Sequence, residues 1–185
     1  GNGTDSVYTN VGGYTLTGGS EIEFLVLNAT TVTTGYGNTF ANTLVGNSVA
    51  NTLDGGTGND SLNGGGGFDS LFGGNGDDSM DGGAGNDSLV GGADNDYYMI
   101  DSTSDSIYEA ASQGTDSVFA NVSGYTLAAN TEWLILGATT VTTGYGNSLA
   151  NTLIGNSLAN TLDGGSGADS MVGGVANDYY IRIPL

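Results

Sequence analysis

The 185-residue chain contains no cysteine and no histidine. Disulfides, zinc sites, H-E-x-x-H metalloprotease chemistry and nucleophilic triads that rely on histidine are therefore excluded. Basic side chains are almost missing too: Arg182 stands alone against twenty acidic groups, giving a net charge of −19. Such a charge repels nucleic acid and anionic membrane and leaves cations as the natural partners. No apolar run approaches the roughly 18 residues of a membrane-spanning helix, so no membrane insertion is expected. The opening GNGTDSVYTN has no signal-peptide character. With these absences ordinary hydrolytic catalysis loses its usual residues, and the chain reads as no enzyme. What it has in abundance is glycine, 35 residues of it. Glycine loses more backbone freedom on folding than any other residue, so a bound ligand is expected to offset that cost.

Five aspartates, Asp60, Asp69, Asp78, Asp87 and Asp96, fall nine residues apart, each closing a glycine-rich turn and each followed two residues later by an apolar side chain. The segments read GGTGNDSLN, GGGGFDSLF, GGNGDDSMD, GGAGNDSLV and GGADNDYYM. They fit G-G-x-G-x-D-x-U-x with U apolar. Six residues of each step turn, because glycine supplies positive φ, and the last three extend as a short strand. The side chain at step position eight is predicted to point inward, which selects Leu44, Leu53, Leu62, Leu71, Met80, Leu89 and Tyr98, then Leu153, Leu162, Met171 and Tyr180. Two steps make one coil, and coils stack about 4.8 Å apart, each packing only on its neighbours.

A second repeat exists on a longer scale. GTDSVYTNVGGYTL from Gly3 returns as GTDSVFANVSGYTL from Gly114, ATTVTTGYGN from Ala29 returns at Ala138, and the nonapeptide run from Gly37 returns from Gly146. Two homologous units follow. The first spans 1–113, with flanking strands 1–36, a nonapeptide roll 37–99 and connecting strands 100–113. The second spans 114–185, with flanking strands 114–145 and a shorter roll 146–181. Segments such as EIEFLVLNATTVTT and TEWLILGATTVTT are β-branched and aromatic without helical periodicity. They are expected to continue the sheets and cap the ends of the roll. Tyr97, Tyr98, Tyr179 and Tyr180 read as large side chains closing the core, and Trp133 as a core residue.

The chemistry follows from the turns. Alternating glycines direct backbone carbonyls alternately up and down the coil axis, so Gly56, Gly58, Gly65, Gly67, Gly74, Gly76, Gly83 and Gly85 offer carbonyl oxygens beside the aspartates. Oxygen ligands in a flexible cage suit Ca²⁺ better than Mg²⁺, which demands a tight octahedron. Because consecutive steps lie on opposite sides of the roll, Asp60 pairs with Asp78, Asp69 with Asp87 and Asp78 with Asp96. Three calcium sites result. Asn42, Asn51, Asn151 and Asn160 replace the aspartate in other steps, where a neutral amide caps its turn without an ion. Asp169 and Asp178 stack only on Asn151 and Asn160 and form weaker sites. Asp101, Asp105, Glu109 and Asp116 furnish either an irregular further site or solvated loop charge.

These nonapeptides, together with GNSLANTL, NDYYMID and GTDSV, resemble the RTX (repeats-in-toxin) family over nearly the whole chain. The resemblance implies an all-β fold, a right-handed parallel β-roll or β-solenoid, with Ca²⁺ as cofactor. It also implies type I secretion from a Gram-negative bacterium, an extracellular or cell-surface location, and folding triggered by calcium outside the cell. The end NDYYIRIPL is similar to the family's uncleaved secretion signal. Three roles fit: a non-catalytic module of a surface or matrix protein, the C-terminal module of a secreted hydrolase such as a lipase or serralysin-like protease, or a head-to-tail assembling filament or surface-layer subunit. End-to-end self-association would use GNGTDSVY, which matches positions two to nine of a nonapeptide. Ice binding fails on regularity, because the outward positions mix Val45, Asn63, Asp81 and Met99.

Overall fold

Tight glycine turns alternate with apolar triplets, and the chain winds accordingly. The structure is a computed structural model that describes residues 4–18, 21–137 and 140–182. Among these residues there is no helix, and the strands pair in parallel. The architecture is a parallel β-solenoid, in keeping with the β-roll expected from the repeats.

One long sheet runs the length of the molecule. Its main path takes in Ser6–Thr9, Phe24–Leu27, Thr43–Asn47, Ser61–Gly67, Ser79–Asp81, Tyr97–Ile100, Ser117–Ala120, Trp133–Leu136, Thr152–Ile154 and Ser170–Val172. The opposite face begins with Tyr14–Thr15, Thr34–Tyr36, Thr52–Thr57, Ser70–Asn75, Ser88–Ala93 and Ser106–Tyr108. It resumes as a separate sheet of Tyr125–Thr126, Thr143–Tyr145, Thr161–Asp163 and Tyr179–Ile181. A cleft of about 340 Å³, lined in part by Asp105, Tyr108 and Tyr125, marks the break.

Register places like on like. Leu25, Leu44, Leu62, Met80, Tyr98, Val118, Leu134, Leu153 and Met171 form one inward column, and Leu53, Leu71, Leu89 and Ile107 form the other. All of these are buried. A fully buried side chain of this kind contributes about 1.5–3 kcal/mol, so the two columns are the chief apolar stabilisation of a thin core.

Three expectations need correction. Tyr180 occupies step position eight yet is 43 % exposed, because among the described residues its strand is paired only with Thr161–Asp163 and lies at the edge of its sheet. Trp133 is 38 % exposed and outward, since its neighbours Leu134 and Leu136 take the inward positions. The flanking segment between the arrays does not cap an end. Its strands Ser117–Ala120 and Trp133–Leu136 join Tyr97–Ile100 to Thr152–Ile154 in one uninterrupted sheet, so Tyr98 lies inside the core. The tail of NDYYIRIPL from 183 onward, and the first three residues of GNGTDSVY, lie outside the described residues.

Candidate metal centre

Glycine dictates the turn geometry. Position-two and position-four glycines take positive φ, as in Gly56 (100°), Gly58 (111°), Gly65 (95°), Gly74 (119°), Gly76 (122°) and Gly92 (115°), a region that disfavours side chains. The carbonyls then alternate. Those of Gly56, Gly65 and Gly74 point forward onto Gly74, Gly83 and Gly92 of the next turn on the same side, and those of Gly58 and Gly67 onto Gly76 and Gly85. Position-one carbonyls point backward: Gly73 O meets the space a Gly55 side chain would fill, Gly82 O that of Gly64, and Gly91 O that of Gly73.

The aspartates line the same spaces. Each pairs with its equivalent eighteen residues away: Asp60 N–H donates to Asp78 Oδ1 (2.7 Å), Asp69 N–H to Asp87 Oδ1 (2.8 Å) and Asp78 N–H to Asp96 Oδ1 (2.8 Å). The stacking therefore brings together the three pairs read from the sequence. The second oxygen has no hydrogen-bond partner. Oδ2 of Asp60, Asp69, Asp78, Asp87 and Asp96 is buried in every case, over the position-one glycine of its own turn. For Asp60, Asp69 and Asp78, the backward carbonyl of the next turn faces the same space. Acceptors thus confront acceptors, an arrangement that costs free energy unless a cation joins them.

The electrostatics agree. Burial pushes the Asp60 carboxyl up to about 7, against the hydrogen bond from the Asn42 amide and with added repulsion from Asp78 and Asp54. Burial likewise raises Asp78 and Asp87 to about 6 and Asp96 to about 8, and raises Asp69. The donor set is oxygen only, carboxylate and carbonyl. That set fits Ca²⁺.

The asparagine turns are built differently. Their position-two and position-four residues, Asn38 and Phe40 or Asn47 and Val49, do not take positive φ. Instead each turn is closed by its own side chains: Asn47 Oδ1 accepts the Val49 N–H (3.0 Å) and Asn51 Oδ1 accepts the Asn47 N–H (2.7 Å). The amide nitrogens of Asn47 and Asn51 then reach into the coil before. Asn47 Nδ2 donates to Ala29 O (3.0 Å) and Val32 O (2.8 Å), and Asn51 Nδ2 to Val32 O (3.3 Å). Asn147 with Asn151, and Asn156 with Asn160, repeat the pattern on Ala128, Thr131, Gly137 and Val141. Amide protons here satisfy carbonyls of the preceding coil. Asp169 and Asp178 accept from Asn151 and Asn160 N–H at 2.9 Å, as the stacking implied, and are only half-buried.

Sequence reasoning missed the backward carbonyls of Gly73, Gly82 and Gly91, although the invariant first glycine of each G-G pair was their signal. It also missed position two of the asparagine steps. There the recurring G-N of GNTF, GNSV and GNSL was the trace.

Fold and turns define a class: a parallel β-solenoid whose stacked turns present oxygen cages to a hard cation. The model of the RTX calcium-binding nonapeptide repeat matches residues 36–71, 65–98, 72–107 and 145–180, together more than half the chain. The protein belongs to that family, whose β-roll is a structural calcium-binding module and not catalytic in itself. No curated protein matches the chain.

Proposed function

We propose that the chain is a calcium-triggered folding module of a secreted bacterial surface or matrix protein. Ions between the Asp60 and Asp78, Asp69 and Asp87, and Asp78 and Asp96 turns hold the first array together, with glycine carbonyls completing each cage. The observation that carries this reading is the row of five buried carboxylate oxygens without partners. Each ion cancels two of the 19 excess negative charges, and its binding free energy becomes folding free energy. Sites of the extracellular type have affinities of roughly 10⁻⁴ to 10⁻³ M. The array then stays open where calcium is scarce and closes where it is plentiful, which suits export before folding.

Far-ultraviolet circular dichroism during a calcium titration tests this. The expected result is loss of most β signal in chelator and its cooperative return at millimolar calcium. A spectrum that EDTA leaves unchanged would overturn the reading.

A further inference from the structure

At the end of the first array a side chain takes the place that a backbone carbonyl holds elsewhere. In the regular turn, the space above Gly73 is faced by Asp78 Oδ2 and Gly91 O. Above Gly91 the same space is faced by Asp96 Oδ2, the Tyr98 hydroxyl and Glu109 Oε1. Tyr98 O–H donates to Glu109 Oε1. Asp116 closes the group from the following coil, where its Oδ1 accepts the Asp96 N–H at 2.8 Å. One oxygen from each of Asp96, Glu109 and Asp116 lies within 4.8 Å of the other two.

Two observations separate this cluster from ordinary surface acidity. Asp96 and Asp116 are 2 % and 1 % exposed, so water does not solvate them. Asp96 Oδ2 and Glu109 Oε2 are buried without any hydrogen-bond partner. No basic residue approaches as compensation, since the only one in the chain is Arg182 near its end. Carboxylates gathered this closely away from water, with no counter-charge, call for a cation or for protons.

We propose that Asp96, Glu109 and Asp116 form an additional divalent-cation site, of hard-oxygen chemistry suited to Ca²⁺, at the junction of the two repeat units. Glu109 lies outside every G-G-x-G-x-D nonapeptide, so the repeat pattern does not assign it. The site has three carboxylates where the regular turns have two, and more ligand charge means tighter binding. It fills first. Its position gives it a second consequence: Asp116 leads directly into Ser117–Ala120, the strand that carries the sheet from the first array towards the second. The bound ion ties the last aspartate turn to the coil beyond it and holds the longer, twenty-residue step in register.

Calcium binding to the 185-residue chain, followed by isothermal titration calorimetry, compares wild type with Glu109→Gln. The variant is expected to bind one ion fewer and to lose its tightest class, the first Kd rising about tenfold or more. Terbium emission excited through tyrosine should report the same ion, because the Tyr98 hydroxyl stands beside it. Unchanged stoichiometry and unchanged first Kd in Glu109→Gln would overturn the proposal. Should that variant not fold, wild-type crystals grown with calcium decide. Density between the three carboxylates supports the site, and ions in the regular turns with none here refute it while leaving the proposed function standing. A chain that binds no calcium at all sinks both.

Discussion

A single aspartate in this roll links two turns. Asp78 Oδ1 reaches back to the Asp60 amide, while its Oδ2 lies over Gly73, faced by the carbonyl of Gly91 in the next turn. Asp169 stacks instead on an asparagine, its Oδ1 accepting the Asn151 N–H. Asp78→Asn should therefore shift the calcium midpoint for folding upward several-fold and reduce the ions bound, whereas Asp169→Asn should leave both nearly unchanged. Equal shifts in the two titrations would contradict the stacking as a basis for binding. Asp94 illustrates the other side of residue chemistry. It occupies turn position four with φ of 77°, where the regular repeat has glycine, and its charge adds to the repulsion on Asp78. Asp94→Gly relieves both, so the thermal midpoint in calcium should rise, by about 1 kcal/mol in stability. A lower midpoint would mean that the Asp94 carboxylate itself helps to hold the array.

Turns of two kinds share one strand pattern, and this decides how much of the molecule could be read from sequence. The nine-residue period reveals the inward column from Leu44 to Tyr98, because every step places its apolar residue at the same distance from its glycines. Trp133 escaped that logic. In TEWLIL the apolar residues are consecutive, so alternation leaves the face open until Leu134 is paired with Val118 and Leu153. The aspartate stacking was legible for the same periodic reason. Glu109 was legible only as one of four acidic residues, with Asp101, Asp105 and Asp116, that furnish either a further site or loop charge, since it reaches the junction from a segment with no period. The acceptors of the asparagine amides, which lie 15 to 20 residues back in irregular chain, were not legible. Those amides give the asparagine coils stability of their own. Asn156 makes two such bonds, to Gly137 O (2.6 Å) and Val141 O (2.8 Å), and also accepts the Leu158 N–H at 2.9 Å. Asn156→Ala should cost about 1–3 kcal/mol, read as a lower thermal midpoint at saturating calcium, with the number of ions bound unchanged. Loss of an ion would show that this coil depends on metal after all.

Across the whole molecule, calcium and protons compete for two columns of charge, Asp60, Asp78 and Asp96 on one side and Asp69 and Asp87 on the other. In the folded chain without metal, burial holds Asp60 near 7, Asp78 and Asp87 near 6 and Asp96 near 8. In the unfolded chain these groups return to about 3.9. The folded state thus binds more protons throughout the interval between those values, and stability falls as pH rises across it. Below about pH 4 both states are protonated and the folded form keeps its full advantage. Above about 8 the carboxylates must ionise in place, and that advantage is gone. In chelator the β signal should therefore grow as pH is lowered from 8 towards 5, and at saturating calcium it should stay nearly flat over the same range. General relief of the −19 charge acts in the same direction. The two causes separate by position on the pH axis, because an ordinary carboxyl titrates near about 4, whereas burial raises Asp78 and Asp87 to about 6, Asp60 to about 7 and Asp96 to about 8. A double variant, Asp60→Asn with Asp96→Asn, should accordingly flatten the chelator profile above pH 6 and preserve the change below 5. A wild-type profile in chelator that gains β structure with rising pH would show that these aspartates are not buried as acids in the metal-free fold.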